Sequence, residues 1–198
     1  MNVKFFDLSS EKQDRMINAA LMHFSINGYK HASTDDIVKS ASISKGLLFH
    51  YFGSKNGLFN FLIGYSIRYI CNEYERTILK ETDYFEFKLK QESAKNDILR
   101  NYPYMFSFVD RFVESNEDEM DEASKESVAN YFKVMENYWN RLEFPELKKD
   151  ADIRVVNDLI DYASAGLTEK ALRNGTVKAD KLNKQICEYI NYIREMTL

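Results

Sequence analysis

A chain of 198 residues with 44% hydrophobic side chains is long and apolar enough to bury a core, which excludes an intrinsically disordered protein. Seven glycines and two prolines are few, so long helices are favoured over many strands and turns. The net charge of −4 argues against a general nucleic-acid coat protein, but residues 1–60 carry seven basic and five acidic side chains, whereas residues 61–198 carry twenty and twenty-six. A mildly basic head on an acidic body fits a DNA-binding head.

The two cysteines, Cys71 and Cys187, lie far apart in the sequence and have no metal-ligating neighbour. This usage predicts reduced thiols in a cytoplasmic protein. No apolar run approaches the roughly 18 residues of a membrane span, and the start of the chain lacks the apolar core of a secretion signal. We therefore expect no membrane partner.

The first predicted elements are a loose lead-in over residues 1–8 and a helix over residues 10–27. Ser10 and Gln13 form a capping-box pattern at the start of this helix, and Gly28 suits its end. Residues at helical spacing predict a buried stripe that consists of Ile17, Ala20, Leu21 and Phe24.

Residues 33–55 carry the pattern of two short helices joined by a tight turn, which is typical of a helix-turn-helix. Thr34 followed by Asp35 and Asp36 predicts a helix start, and Ser44 is expected to cap the second helix. The apolar face of the first helix is predicted to hold Ile37, Val38 and Ala41.

The second helix of the pair, residues 45–52, would enter the major groove. The positions expected to face DNA are Lys45, Gly46, His50 and Tyr51, with Lys55 just beyond the helix. A lysine can bind phosphate or a base edge, glycine permits close backbone approach, and His50 and Tyr51 offer hydrogen bonds. The alternative for His50 is simple exposure to solvent.

Six further helical segments are predicted after residue 54, and an acidic loop is predicted over residues 115–122. The segments cover residues 55–80, 84–101, 104–114, 123–143, 152–174 and 178–196.

The helix-turn-helix segment resembles the DNA-binding motif of TetR-family repressors, whose signature is approximately T-x-x-x-I-A-x-x-A-G-V-S-x-G-x-L-Y-x-Y-F-x-x-K-x-x-L. The resemblance covers roughly residues 9–60. The residues that match in register are Thr34, Ile37, Val38, Ala41, Ile43, Ser44, Lys45, Gly46, Leu48, Tyr51, Phe52, Lys55 and Leu58.

This resemblance implies an all-α fold of about nine helices. A three-helix DNA-binding head, residues 1–54, would be joined by a long helix to a ligand-binding and dimerisation body, residues 55–198. The implied function is a ligand-responsive repressor that binds a palindromic operator in double-stranded DNA as a homodimer and is released by a small, mostly apolar effector. The implied DNA-binding residues are Ser33, Thr34, Ser44, Lys45, Gly46, Phe49, His50, Tyr51 and Lys55.

Two residues depart from the family pattern. Ser42 stands where the family usually has glycine, and serine would cost about 1 kcal/mol there if the turn requires a positive φ. Phe49 stands where the family usually has tyrosine, so a hydroxyl that could reach DNA is missing.

Aromatic residues are concentrated in the middle of the chain, and the resemblance implies that some of them line an apolar ligand pocket. The alternative is that aromatic residues at helical spacing belong to the core. Asp110 and Glu114 nearby would suit a cationic lipophilic ligand. The candidate ligand-binding residues are Tyr102, Phe108, Phe112, Tyr131, Met135, Tyr138 and Trp139.

Small and apolar residues recur along the last two predicted helices, and the family forms its dimer through these helices. The alternative is that they close the core of the monomer. The candidate interface residues are Leu159, Ala163, Gly166, Leu167, Ile186, Ile190 and Ile193.

Enzyme and metal-site motifs are missing from the sequence. The three histidines have no glutamate at metal spacing, and there is no nucleophile elbow or phosphate-binding glycine loop. We therefore expect neither catalysis nor a cofactor or metal. The alternative function is a helical small-molecule-binding protein or enzyme whose head no longer reads DNA sequence, and only Ser42 and Phe49 favour it.

Overall fold

Helices form nearly all the regular structure in the computed structural model, which describes residues 3–113, 117–148, 151–175 and 177–198. These residues form nine α-helices and two short 3-10 helices, Val3–Asp7 and Glu117–Glu119, so the predicted all-α fold of about nine helices is confirmed. The α-helices are α1 (Ser10–His31), α2 (Thr34–Ala41), α3 (Lys45–Phe52), α4 (Lys55–Ile78), α5 (Tyr84–Asn101), α6 (Met105–Val113), α7 (Glu122–Trp139), α8 (Ile153–Arg173) and α9 (Ala179–Thr197).

The chain divides into two compact units. The first unit contains residues up to Ile70 together with Asn101–Lys133, and the second contains Cys71–Arg100 and Val134–Leu198. The first unit therefore holds the predicted head and, in addition, most of α4, all of α6 and the first part of α7. The predicted boundary between a DNA-binding domain and a ligand-binding and dimerisation domain at residue 54 stays a prediction.

Residues 3–8 of the lead-in before α1 are ordered, so over these residues the expectation of a loose segment was wrong. Phe5, in the 3-10 helix, is completely buried. Its ring centroid lies 5.7 Å from that of Tyr51, 5.1 Å from that of Phe52 and 5.3 Å from that of Phe61. A single large aromatic side chain thus fixes this segment against α3 and α4.

Helix α1 buries the predicted stripe of Ile17, Ala20, Leu21 and Phe24. The predicted capping box does not form: Ser9 is the N-cap residue, and Gln13 Nε2 instead donates to the carbonyl oxygens of Phe6 (3.2 Å) and Leu8 (2.7 Å). Gly28 has the expected positive φ of 72°, but the helical turns continue past this kink to His31.

The core of the first unit contains a cluster of aromatic rings from three helices, α1, α4 and α6. Phe24 of α1 and Phe59 of α4 lie with ring centroids 5.5 Å apart, and Phe108 and Phe112 of α6 lie 5.8 and 4.9 Å from Phe59. Tyr29, just past Gly28, stacks on Phe24 at 6.1 Å. Phe108 and Phe112 are buried and packed ring against ring, which fits the core alternative, and ligand binding by either stays a prediction.

The second unit has an unusually polar core. Lys88 of α5 is 5% exposed and forms an ion pair with Asp161 of α8 at 2.8 Å. Glu92, one turn further along α5, is 4% exposed, accepts a hydrogen bond from Ser164 Oγ at 2.9 Å and pairs with Lys95 at 3.1 Å. Since buried charges are tolerated only when paired, these contacts fix how α5 packs on α8.

The first two residues of the predicted acidic loop, 115–116, lie outside the described residues, as does Glu114 just before it. The rest of that loop contains the 3-10 helix Glu117–Glu119, and α7 begins at Glu122. No helix in the described ranges has the length and apolar character that crossing a membrane requires.

Candidate nucleic-acid interface

Helix α2 begins as the sequence predicts. Ser33 is its N-cap residue, and the Ser33 hydroxyl accepts a hydrogen bond from the backbone N–H of Asp35 at 3.2 Å. Its inner face, Ile37, Val38 and Ala41, is buried. Ser33 and Thr34 are half-buried at this end. Ser33 therefore has the capping role that its position suggested, and a phosphate contact by either residue stays a prediction.

The turn between α2 and α3 places Ser42 in the left-handed region, with φ 53° and ψ 50°. Ser42 is the one non-glycine residue with a positive φ in the described part of the chain. The turn thus meets the condition under which serine is strained at this position. A β-carbon in this conformation costs about 1 kcal/mol or more, and the backbone bond from Ile43 N–H to the Val38 carbonyl, 3.0 Å, helps to hold the turn.

Helix α3 has a buried face and an exposed face. Ser44 caps it, accepting from Leu47 N–H at 3.2 Å, and Leu48 and Phe52 are buried beneath it. The exposed face presents Lys45, Gly46 and His50, as predicted.

Tyr51 was predicted to face outward, and this was wrong, because the side chain is only 9% exposed. Its ring packs edge-on against Phe5 and lies 5.0 Å from the His50 ring. Residue 51 falls on the same side of α3 as Leu48, three residues earlier, which is the inner side. Phe49 is half-buried.

Gly46 has open space around it. A β-carbon added there would meet no atom within 4 Å, so nothing in the described protein requires glycine at this position. Glycine in a helix costs about 0.5–1 kcal/mol relative to alanine. The residue therefore leaves an uncovered stretch of backbone on the exposed face of α3.

Lys45 forms an ion pair that the sequence reasoning missed. Its Nζ lies 2.8 Å from Asp35 Oδ1 and 3.0 Å from Asp35 Oδ2, which links the start of α3 to the start of α2. Both side chains are largely exposed, so the pair contributes only about 0–1 kcal/mol to stability. Lys45 can therefore leave Asp35 and bind another anion. An acid in the first turn of α2, ten residues before Lys45, was the available signal.

Lys55 at the start of α4 is held by the end of α1. Its Nζ donates to the Lys30 carbonyl at 3.2 Å and lies 4.8 Å from the centre of the Tyr29 ring. Partial burial lowers the pKa of Lys55 from its ordinary value. Contacts within the protein therefore position the ammonium group of Lys55, which was predicted to bind DNA phosphate.

Close backbone contact joins α3 to α4. A β-carbon on Gly57 would lie 2.0 Å from the carbonyl oxygen of Phe52, which no side chain can tolerate. Ser54 Oγ accepts from the Gly57 N–H at 2.9 Å and caps α4. The sequence pattern gave no separate signal for Gly57.

Two side chains of the first unit tie α1 to other helices. Tyr102 Oη donates to Asp14 Oδ1 at 2.6 Å and lies 2.8 Å from Tyr65 Oη. Burial, followed by the hydrogen bond to Asp14, raises the pKa of Tyr102 above its ordinary value. Arg111 of α6 donates from Nη1 to the Ser25 carbonyl at 2.8 Å.

The candidate ligand-binding residues are divided between the two units. Tyr102, Phe108, Phe112 and Tyr131 belong to the first unit, and Met135, Tyr138 and Trp139 belong to the second. Trp139 packs against Tyr84 and Phe144, with ring centroids 6.3 and 5.0 Å away, and Tyr138 lies 6.0 Å from Phe87. Most of these aromatic residues therefore have identified packing partners, and ligand binding by any of them stays a prediction.

The candidate dimer-interface residues differ in their exposure to solvent. Leu159 and Gly166 are exposed, whereas Ile186 and Ile190 are 2% and 0% exposed. Ile186 and Ile190 therefore belong to the core of the second unit, and their placement at an interface was wrong. Ala163, Leu167 and Ile193 are half-buried.

Exposed apolar side chains follow helical spacing on both α8 and α9. The sequence pattern did not predict those on α9. The exposed side chains are Val155, Leu159 and Tyr162 on α8, and Tyr189, Tyr192 and Met196 on α9. We call this set the α8–α9 stripe. The apolar period of α9 was assigned to its isoleucines, and the tyrosines three residues beyond Ile186 and two beyond Ile190 were overlooked.

Comparison with known proteins agrees with the geometry of the head. Residues 16–61, which include α2, α3 and the start of α4, match the family described as "Bacterial regulatory proteins, tetR family". Residues 16–61 therefore have the sequence of a TetR-family DNA-binding head. The matched region ends in α4 and excludes nearly all of the predicted body.

A curated relative of this chain is the biofilm operon icaADBC HTH-type negative transcriptional regulator IcaR of Staphylococcus aureus. It is 28% identical over 97 residues, a match that covers 49% of this chain and 45% of IcaR. The chain thus spans less than half the length of the curated relative that it matches.

Solved structures of transcriptional regulators share the fold over most of the chain. The ketosteroid transcriptional regulator KstR2 of Mycobacterium tuberculosis has a TM-score of 0.65 at 16% identity, covering 96% of both chains. FadR from Bacillus subtilis, solved in complex with stearoyl-CoA, has a TM-score of 0.52 at 15% identity, covering 89% of this chain and 96% of FadR. Identities this low establish the fold alone.

Proposed function

We propose that this protein is a DNA-binding transcriptional repressor that binds a palindromic operator as a homodimer and is released by a small, mostly apolar ligand. The observation that carries the proposal is the division of α3 into a buried face and an exposed face that presents Lys45, Gly46 and His50. IcaR, which matches about half of the chain, is a negative regulator, and this supports repression rather than activation.

Each exposed position of α3 suits a different contact in the major groove. Lys45 exchanges its weak pair with Asp35 for a phosphate or a guanine edge. Gly46 lets the DNA approach the helix backbone, and His50 offers ring nitrogens to base edges. Ser33, Thr34, Ser44 and Lys55 lie at helix ends, where polar groups contact phosphates.

Phe49 and Tyr51 have a smaller part in this proposal. Tyr51 acts mainly through its ring, which fixes α3 on Phe5, and Phe49 contributes apolar contact without a hydroxyl. Base reading therefore depends most on Lys45 and His50.

The homodimer is supported by the α8–α9 stripe. Tyr162 and Tyr192 are 75% and 64% exposed, and large apolar side chains repeated at helical spacing on two packed helices are typical of an interface. Two copies joined there could present their heads to successive major grooves, about 34 Å apart on one face of DNA.

Release by a ligand is supported by connections within the first unit. Arg111 connects α6 to α1, and Tyr102 connects α1 to Tyr65 of α4, so displacement of α4 or α6 changes the position of the head helices. A ligand that favours the displaced form by about 1–3 kcal/mol would lower operator affinity roughly 5- to 150-fold. FadR was solved with stearoyl-CoA, which supports an apolar ligand for this fold.

The test is fluorescence anisotropy on DNA from upstream of the protein's own gene, at two salt concentrations, beside a scrambled duplex. We expect tight, salt-sensitive binding to the first duplex, and about a tenfold loss for Lys45→Ala. Lys80→Ala, which removes an exposed lysine in the second unit, is the matched control. Equal binding by wild type and Lys45→Ala would exclude α3 as the reading helix.

If no upstream duplex binds, selection from a random DNA pool identifies the operator. A pool that yields no enriched sequence would contradict sequence-specific reading altogether and favour the small-molecule-binding alternative.

A further inference from the structure

A cleft of about 430 Å³ lies between the end of α8 and the start of α9 in the second unit. This volume is within the range of small-molecule sites, roughly 300–1,000 Å³. None of the candidate DNA-binding residues lines the cleft, and of the candidate dimer residues only Leu167 does. The cleft thus needs an explanation of its own.

The charged residues that line the cleft are all lysines. They are Lys170 of α8, Lys178, and Lys181 of α9, and no aspartate or glutamate lines the cleft with them. Over the residues that the structure describes, none of the three lysines has a carboxylate within ion-pair distance. Three cations around one concave surface repel each other, and an anion in the cleft would relieve that repulsion.

The start of α9 adds to this positive potential. Lys178 occupies its N-cap position and makes no side-chain capping bond, so the first turn keeps unsatisfied N–H groups. The acidic residue of that turn, Asp180, is engaged by Asn96 and Arg100 of α5. Its charge is therefore compensated away from the lysines.

The remaining lining is apolar or uncharged. Leu167, Ala171 and Leu182 supply apolar surface, and Asn174 and Gln185 supply amides. An inorganic anion would leave the apolar surface unused, and a neutral apolar molecule would leave three lysines unpaired. The lining therefore matches a molecule with an anionic group and a short apolar tail.

We propose that this cleft is a binding site for a small amphiphilic anion, whose carboxylate or phosphate contacts Lys170, Lys178 and Lys181 and whose tail packs on Leu167, Ala171 and Leu182. None of the candidate ligand-binding residues named from the sequence lines this cleft. The site also stands independently of DNA binding.

Isothermal titration calorimetry of the full chain with octanoate and with octyl phosphate tests the site, and the two probes separate a carboxylate from a phosphate preference. Octyltrimethylammonium and octanol serve as the cationic and neutral probes of equal tail length. We expect an anion to bind at least about tenfold more tightly than either of these, with an affinity that falls as salt is added.

The variant for this test is Lys170→Gln/Lys178→Gln/Lys181→Gln, which should weaken anion binding by about tenfold or more. Lys184→Gln, on the same helix but outside the lining, is the matched control and should bind as wild type does. All four lysines are exposed, so the helical circular dichroism signal and melting should be retained.

Anion binding that survives in the triple variant would place the ligand elsewhere and overturn the proposal. No binding by wild type, or equal binding of the cationic probe, would also overturn it. A triple variant that changes the dimer dissociation constant in analytical ultracentrifugation, but not anion affinity, would instead assign the cleft to contact with a second copy.

Discussion

Asp35 Oδ1 lies 2.8 Å from Lys45 Nζ, so the acid that opens α2 neutralises the lysine that opens α3. A carboxylate at this position also repels DNA phosphates. In the proposed repressor the pair would therefore restrain operator affinity, because Lys45 would have to leave Asp35 before binding DNA.

The first prediction follows from this pair. Asp35→Asn should raise operator affinity by about three- to tenfold, since it frees Lys45 and removes a negative charge from the DNA-facing surface. Fluorescence anisotropy at fixed salt measures the change. Asp36→Asn, the next residue on α2, is the control, and an equal gain there would attribute the effect to net charge and not to the pair.

The second prediction concerns the strained turn. Ser42→Gly should stabilise the protein by about 0.5–1 kcal/mol, because glycine adopts φ 53° without the cost of a β-carbon. Lys39→Gly, in the ordinary helical backbone of α2, should destabilise it by about 1 kcal/mol. Urea unfolding distinguishes the two, and a loss of stability in Ser42→Gly would refute the assignment of strain.

The third prediction separates two glycines. Gly46→Ala should raise stability by about 0.5 kcal/mol, since its surroundings are open, yet weaken operator binding where DNA approaches the backbone. Gly57→Ala should lower stability by several kcal/mol, because its methyl group would overlap the Phe52 carbonyl. Thermal melting and anisotropy on both variants are the measurements. Unchanged operator affinity in Gly46→Ala would remove Gly46 from the interface.

The fourth prediction uses neighbouring phenylalanines. Phe5→Ala should cost about 3–5 kcal/mol, because Phe5 is completely buried against α3 and α4. Phe6→Ala should cost much less, since Phe6 is 46% exposed. Denaturant midpoints compare the two. Similar midpoints would mean that the lead-in does not support the head.

The fifth prediction tests the α8–α9 stripe. Tyr162→Glu/Tyr192→Glu should convert the dimer to monomer by placing charges in an apolar contact, and it should weaken operator binding through lost avidity. The control is Ile26→Glu, which introduces a single glutamate at an exposed apolar residue of α1. Sedimentation velocity measures the mass, and an intact dimer in the double variant would move the interface elsewhere.

The sequence predicted the head well because its pattern is local. Ser33, Ser44 and Ser42 occupy the cap and turn positions expected of them, and these roles depend on residues within a few positions. Phe5 and Asp35 were missed because their roles depend on partners brought close by folding. Tyr51 was assigned to the wrong face because a helix of eight residues contains too few turns to fix its phase.

Assignments in the body were weaker for a physical reason. Helix α9 carries apolar residues on both its isoleucine side and its tyrosine side, so periodicity alone does not say which side faces the core. Helix α5 reverses the usual rule, since Lys88 and Glu92 are buried. Asp161, which pairs with Lys88, and Ser164, which donates a hydrogen bond to Glu92, lie more than seventy residues away in sequence.

The chain of hydroxyl groups from Tyr65 through Tyr102 to Asp14 has a fixed direction. Tyr102 Oη donates its proton to Asp14 Oδ1, so the Tyr65 proton must point to Tyr102. Burial also raises the pKa of Tyr65, so both phenols keep their protons at neutral pH. Tyr65 therefore has only lone pairs left to offer, and any molecule that reaches its oxygen must arrive as a hydrogen-bond donor.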